Sequence, residues 1–261
     1  MTLIGALEWT ARLCGVLAVV QGAEFLFLRS VYAERGVWRW SDLKQELGGL
    51  HLFFGLFLKA EAFTLLNVLR IFVGLSLLLY QVNWVGAVLL LFFHFLTLIR
   101  WRGTFNGGSD YMNLLVLLCL SLGLYFKENH YVVMGALGYI TLQLQISYFK
   151  AGYLKLKNAP WRKGLALREF VLSPIYSSTK LTRYLLKHQR ILMVLSWLVI
   201  LFELAFPMSL LGPSFATSFI LMAFVFHLGN VYLFGLNRFL LSWVTAYPSL
   251  YFVSHYLQRS L

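Results

Sequence analysis

The chain has 261 residues, 60% of them hydrophobic and only 12% charged, with a formal net charge of +12. A soluble domain carries about 25% charged residues, so this composition cannot build a water-facing surface. The apolar runs are long and do not alternate with polar residues, which excludes a β-barrel as well and leaves an all-α, polytopic integral membrane helical bundle. Most basic residues lie between apolar runs, where cytoplasmic loops carry them and anionic headgroups attract them. The expected partner is therefore the lipid bilayer, and no nucleic acid is expected.

Helices crossing a bilayer need about 17–25 mostly apolar residues, and the sequence predicts about seven such spans. The first runs from Leu3 to Leu28 and contains Glu8, Arg12, Gln21 and Glu24. Glu8 and Arg12 are spaced to pair on one helix face. No basic stretch precedes this run, so no cleavable signal is expected. A polar segment, Arg29–Glu46, follows. Ser41 is the expected N-cap of an amphipathic helix that continues through His51 to Lys59 along the membrane interface.

The second span is Phe63–Tyr80, with Arg70 expected to snorkel toward the interface. The turn Gln81–Trp84 leads to the third span, Val85–Ile99, which closes at Arg100-Trp101-Arg102. The loop Phe105-Asn106-Gly107-Gly108-Ser109-Asp110 leads to the fourth, Tyr111–Phe126, and the fifth is Tyr131–Phe149. The longest polar region, Lys150–Arg190, holds many lysines and arginines against one acid, Glu169. The sixth span, Ile191–Phe206, ends at Pro207, and the seventh is Phe215–Leu236. The aromatic tail Phe239–Leu257 is left open between spanning, re-entering and lying at the surface. The basic stretches alternate with the neutral turns, placing the N-terminus outside. The whole chain, 1–261, reads as one domain.

Ionisable groups inside spans are costly and suggest function by default. Glu203 lies one turn before Pro207. His227 and Asn230 share a helix face in the seventh span. Beyond the fifth span, Lys155 follows the small residues Ala151 and Gly152, which would let a neighbouring helix approach closely. A lysine held in a dry crevice can act as a base, whereas one at the interface only anchors. Cys14 and Cys119 lie in apolar runs without metal or disulfide spacing. Since HExxH, CxxC and GxGxxG spacings are all missing from the sequence, no metal site is expected.

The run Tyr148-Phe149-Lys150-Ala151-Gly152-Tyr153-Leu154-Lys155-Leu156, with Trp161 beyond it, resembles the "YF-x-AG-x-x-K-L…W" motif of vitamin K-dependent gamma-glutamyl carboxylases and the wider horizontally transferred transmembrane (HTTM) family. Arg168–Pro174 resembles the carboxylases' "RHWLFSP", and Phe226–Phe234 resembles their "FHCMNSQLF". The resemblance extends from about Arg100 onward. It implies an HTTM or gamma-carboxylase-like transmembrane domain and a membrane enzyme with a pocket for a lipidic quinol or similar amphiphile. In such an enzyme Lys155 is the base and His227 is catalytic. Asn230, Glu203, Asp110, Gly107 and Gly108 contact substrate or quinol. The implied cofactor is a reduced quinone like vitamin K hydroquinone, with O2 and CO2 where carboxylase chemistry is retained. A peptide or small molecule is the acceptor.

Asn106-Gly107-Gly108-Ser109 stands where the carboxylases have "NNHS", and the Gly-Gly-Asp type of loop resembles bacterial HTTM proteins. That places the expected protein in a bacterial inner membrane. The alternative reading within the same resemblance is a non-enzymatic factor for peptide export or maturation, like the sporulation-delaying protein B type, which binds a peptide or partner membrane protein.

Overall fold

The computed structural model describes residues 1–101, 107–173 and 180–260. Arg102, Phe105, Asn106 and Pro174, all used in the sequence reading, lie outside the described residues. Every regular element among the described residues is helical. Six helices are long and apolar enough to cross a membrane, and a seventh, Trp84–Arg100, is apolar but shorter. The chain is therefore a multi-pass integral membrane protein of all-α class. It divides into two compact units, residues 1–137 with 241–245, and residues 138–240 with 246–261.

In the first unit, α1 (Leu3–Phe27) starts at Thr2, whose hydroxyl accepts from the Gly5 N–H at 3.0 Å. This satisfies one of the backbone donors that a helix start leaves over. A short α2 (Arg29–Tyr32) follows, then α3 (Trp40–Leu47) and α4 (His51–Leu58). The sequence predicts Ser41 as a cap and one continuous helix to Lys59. Instead, Arg39 stands at the N-cap position, and Gly48 breaks the helix at φ +52°. Glycine adopts that left-handed backbone without a Cβ clash.

Next come α5 (Ala60–Leu79), α6 (Trp84–Arg100) and α7 (Gly108–Tyr125). Asn83 caps α6 by accepting from Gly86 N–H at 2.8 Å. α1 and α5 meet backbone to backbone: a Cβ on Gly15 would come within 2.6 Å of the Gly74 carbonyl oxygen, and one on Gly74 within 2.8 Å of the Gly15 carbonyl oxygen. In lipid, where apolar side chains gain little by leaving one apolar medium for another, such close packing drives association.

Two expectations about charge fail in this unit. Arg12 does not pair with Glu8; it donates to the Leu78 carbonyl at 2.6 Å. Arg70 does not snorkel; it is 1% exposed and donates from Nη2 to Thr97 Oγ1 at 2.8 Å. Its position on α5 faces α6, so the side chain reaches a neighbouring helix rather than the headgroups.

α8 (His130–Lys157) carries the chain from the first unit into the second. The helix continues past Phe149, where the apolar run ends, through the basic residues to Lys157. The second unit then contains α9 (Ala159–Arg162), α10 (Leu165–Leu172), α11 (Lys180–Leu186) and α12 (Gln189–Ala205). Asn158 caps α9 through Trp161 N–H at 3.3 Å, with Pro160 in the first turn where its missing donor costs nothing. A 3-10 turn, Phe206–Leu211, prolongs α12 before α13 (Pro213–Phe234). The tail forms α14 (Asn237–Val244) and α15 (Tyr247–Ser260). At 14 residues, α15 is shorter than a span requires.

Candidate functional site

The last four turns of α8 set out a polar ladder on one face of the helix. Gln145, Tyr148, Gly152 and Lys155 are spaced by three, four and three residues, so they stack on one side. In the second unit each polar member meets a partner from the segment α12 to α13. Gln145 Nε2 donates to Ser209 Oγ at 2.9 Å. Tyr148 Oη and His227 Nε2 lie 2.7 Å apart. Lys155 Nζ donates to both Glu203 oxygens, at 2.7 and 2.6 Å.

Gly152 makes this arrangement possible. A Cβ at that position would sit 2.8 Å from Glu203 Cβ and 2.9 Å from the Leu204 backbone nitrogen. The absence of a side chain lets α12 press directly against α8 and brings Glu203 under Lys155. The expectation that small residues here admit a close helix is met by Gly152.

Burial is uneven across the pair: the Lys155 side chain is 18% exposed and that of Glu203 only 4%. Trp161 covers the ammonium, with its ring centroid 5.2 Å from Nζ. α9 is fixed in turn by Ser196 Oγ of α12, which donates to the Trp161 carbonyl at 2.6 Å. Around Tyr148 the shell is aromatic. Phe206 stacks on it at 3.9 Å between centroids, and Phe202 approaches edge-on at 5.5 Å. Phe226 and Phe239 flank His227 at 5.0 and 5.4 Å.

An HTTM domain model matches residues 121–255, more than half of the chain. The chain belongs to the HTTM family. No curated protein and no solved structure matches it. In this HTTM protein the matched segment contains the entire polar ladder and all of its partners.

The sequence-predicted residues divide between the two units. Lys155 and Glu203 meet directly, and His227 joins the same ladder through Tyr148. Asn230 lies three residues beyond His227 on α13 and is half-buried. Gly107, Gly108 and Asp110 belong to the first unit, where they begin α7 instead of forming a free loop. Gly107 occupies the N-cap position with φ +52°, and Gly108 opens the helix. Asp110 is 4% exposed in the first turn, where a carboxylate complements the helix dipole. Its backbone carbonyl lies 2.9 Å from His94 Nε2.

The sequence reading quoted Tyr148 only as part of a motif and passed over Gln145, Ser209 and Phe206. The signal for the first two was present in the three-and-four spacing of polar residues along α8. Ser209 and Phe206 come from a 3-10 turn, where no helical periodicity marks the inward face.

Proposed function

We propose that this HTTM protein is a bacterial inner-membrane enzyme that performs proton transfer on a lipid-soluble amphiphile of quinol type. In this reading Lys155 and Glu203 form the acid–base couple, and a peptide or small molecule is the acceptor. Family membership supports a carboxylase-like membrane domain. The observation that carries the reading is the two-oxygen contact of the buried Glu203 with the part-buried Lys155 Nζ.

This contact refines the role of the lysine. In the ion-paired form Lys155 is an ammonium and only donates. Proton transfer within the pair leaves an amine at Lys155 and a carboxylic acid at Glu203. The amine can then accept a proton from an acidic O–H, becoming the ammonium again, while Glu203 keeps its own proton to pass on. The aromatic shell of Phe202, Phe206, Phe226 and Phe239 would suit a flat ring chemically. A reduced quinone, when bound, would supply an acidic hydroxyl and, with O2 and CO2, the driving force for carboxylase-type chemistry. Tyr148 orients the His227 imidazole beside it.

The test is quinol oxidation by the purified protein in lipid nanodiscs, with a reduced naphthoquinone and O2. Wild-type protein is expected to consume quinol, and Lys155→Ala to lose that activity while remaining folded. A folded Lys155→Ala variant with full turnover removes the mechanism. Indifference to that substitution, together with co-purification of a defined partner, transfers the assignment to a peptide-export or maturation factor docking on the basic stretch Lys150–Arg190.

A further inference from the structure

The first unit contains a small internal cavity that none of the preceding chemistry uses. It measures about 10 Å3 and is lined by Cys14, Leu17, Ala18, Gln21, Arg70, Leu90, His94, Asn113 and Leu117. Each of its four polar long-chain residues, Gln21, Arg70, His94 and Asn113, is at most 3% exposed. A cavity of this size is about the space one water molecule occupies.

The orientation of Asn113 follows from its neighbours. His94 Nε2 lies 2.9 Å from the Asp110 carbonyl, which can only accept. The proton is therefore on Nε2, and Nδ1 carries a lone pair. Asn113 Nδ2 lies 3.2 Å from that Nδ1 and donates to it. The amide is thus fixed with its nitrogen toward His94, and Oδ1 faces the opposite way. Asn113 Oδ1 is buried and meets no hydrogen-bond donor among the described residues. Leaving a buried amide oxygen unsatisfied is costly, and the surrounding bilayer core offers nothing to relieve it.

We infer that this cavity is a hydration site holding one ordered water, which donates to Asn113 Oδ1 and accepts from the Gln21 amide or the Arg70 guanidinium across the space. The ligand must donate to a carbonyl and accept from an amide or guanidinium within the volume of a single small molecule. A chloride or carboxylate fails the first requirement, and an apolar gas fails both. The water joins α7 to α1 or α5 inside the membrane, and Asn113 carries the link on to His94 of α6. This site is independent of the proposed acid–base couple in the second unit.

A cryo-electron microscopy or crystal map of the protein in lipid or detergent, at a resolution that shows ordered waters, tests it. A peak within hydrogen-bond distance of Asn113 Oδ1 is expected. A dry cavity surrounded by well-ordered side chains, or an Asn113 amide whose oxygen faces His94, overturns the inference. In Asn113→Leu the peak is expected to vanish and the melting temperature to fall by about 2–4 °C. Gln21→Leu, which keeps the His94 contact, is expected to weaken the peak. A peak unchanged in both variants also overturns the assignment.

Discussion

The two units bury polar groups in different ways. In the first, Arg12 donates to the Leu78 carbonyl, Arg100 to that of Tyr32 and His94 to that of Asp110, while Arg70 donates to the Thr97 hydroxyl. In the second, the described ladder joins side chain to side chain: Gln145 to Ser209, Tyr148 to His227 and Lys155 to Glu203. Neither a carbonyl nor an aliphatic hydroxyl takes up a proton at accessible pH, so the first pattern locks helices together. A carboxylate, an imidazole and a phenol can exchange protons, so the second pattern can also do chemistry. The contrast teaches where to look for activity: not wherever polar groups are buried in the membrane, but where both ends of the contact titrate.

The strongest way to break this contrast is to remove one end of the ion pair. Glu203→Gln strands the Lys155 ammonium and is expected to cost about 3–5 kcal/mol of stability. The double variant Lys155→Met with Glu203→Gln is expected to recover most of that loss. Thermal unfolding followed by size-exclusion chromatography measures both. A single variant as stable as the parent would show that the pair contributes little.

Next in size is the close approach of α8 and α12. Gly152→Val inserts carbon atoms into a 2.8 Å gap against Glu203 Cβ and is expected to destabilise by about 1–3 kcal/mol. Gly15→Val in the first unit is expected to behave alike, because that interface is equally tight. A neutral Gly152→Val would mean that the helices slide freely, and the ladder would lose its basis.

Tyr148→Phe keeps the stack on Phe206 and deletes the contact to His227. It is expected to cost about 1–3 kcal/mol and to change the nitrogen-15 shifts of the His227 ring in labelled protein. Unaltered ring shifts would detach His227 from the ladder. The smallest effect is expected for Trp161→Leu, which removes the ring over Lys155. A loss of about 0.5–1 kcal/mol is expected, measured by the same unfolding assay.

Much of the fold was legible in the sequence. Apolar runs marked the spans because a bilayer demands about twenty apolar residues per crossing, whatever the packing. Glu203 and His227 stood out because ionisable residues are rare in such runs, and Lys155 because it follows the small residues Ala151 and Gly152 within a motif that resembles the family's. The two errors about charge share one cause. Glu8 with Arg12, and Arg70 with the interface, were assigned to partners close in sequence or to solvent, whereas the actual partners, Leu78 and Thr97, come from other parts of the chain. Local spacing carries no information about a contact that only helix packing creates. The break at Gly48 was missed because an amphipathic pattern runs through it unchanged.

The sequence by itself determined that this is a helical membrane protein, roughly where it crosses, and which family it resembles, since hydropathy and motifs are properties of the linear chain. Tertiary structure alone decided that Lys155 lies on Glu203, that Tyr148 holds His227, and that the Asn113 amide meets His94. Those facts depend on how closely two helices approach, which is set by a missing Cβ at Gly152 or by one amide locked against one imidazole.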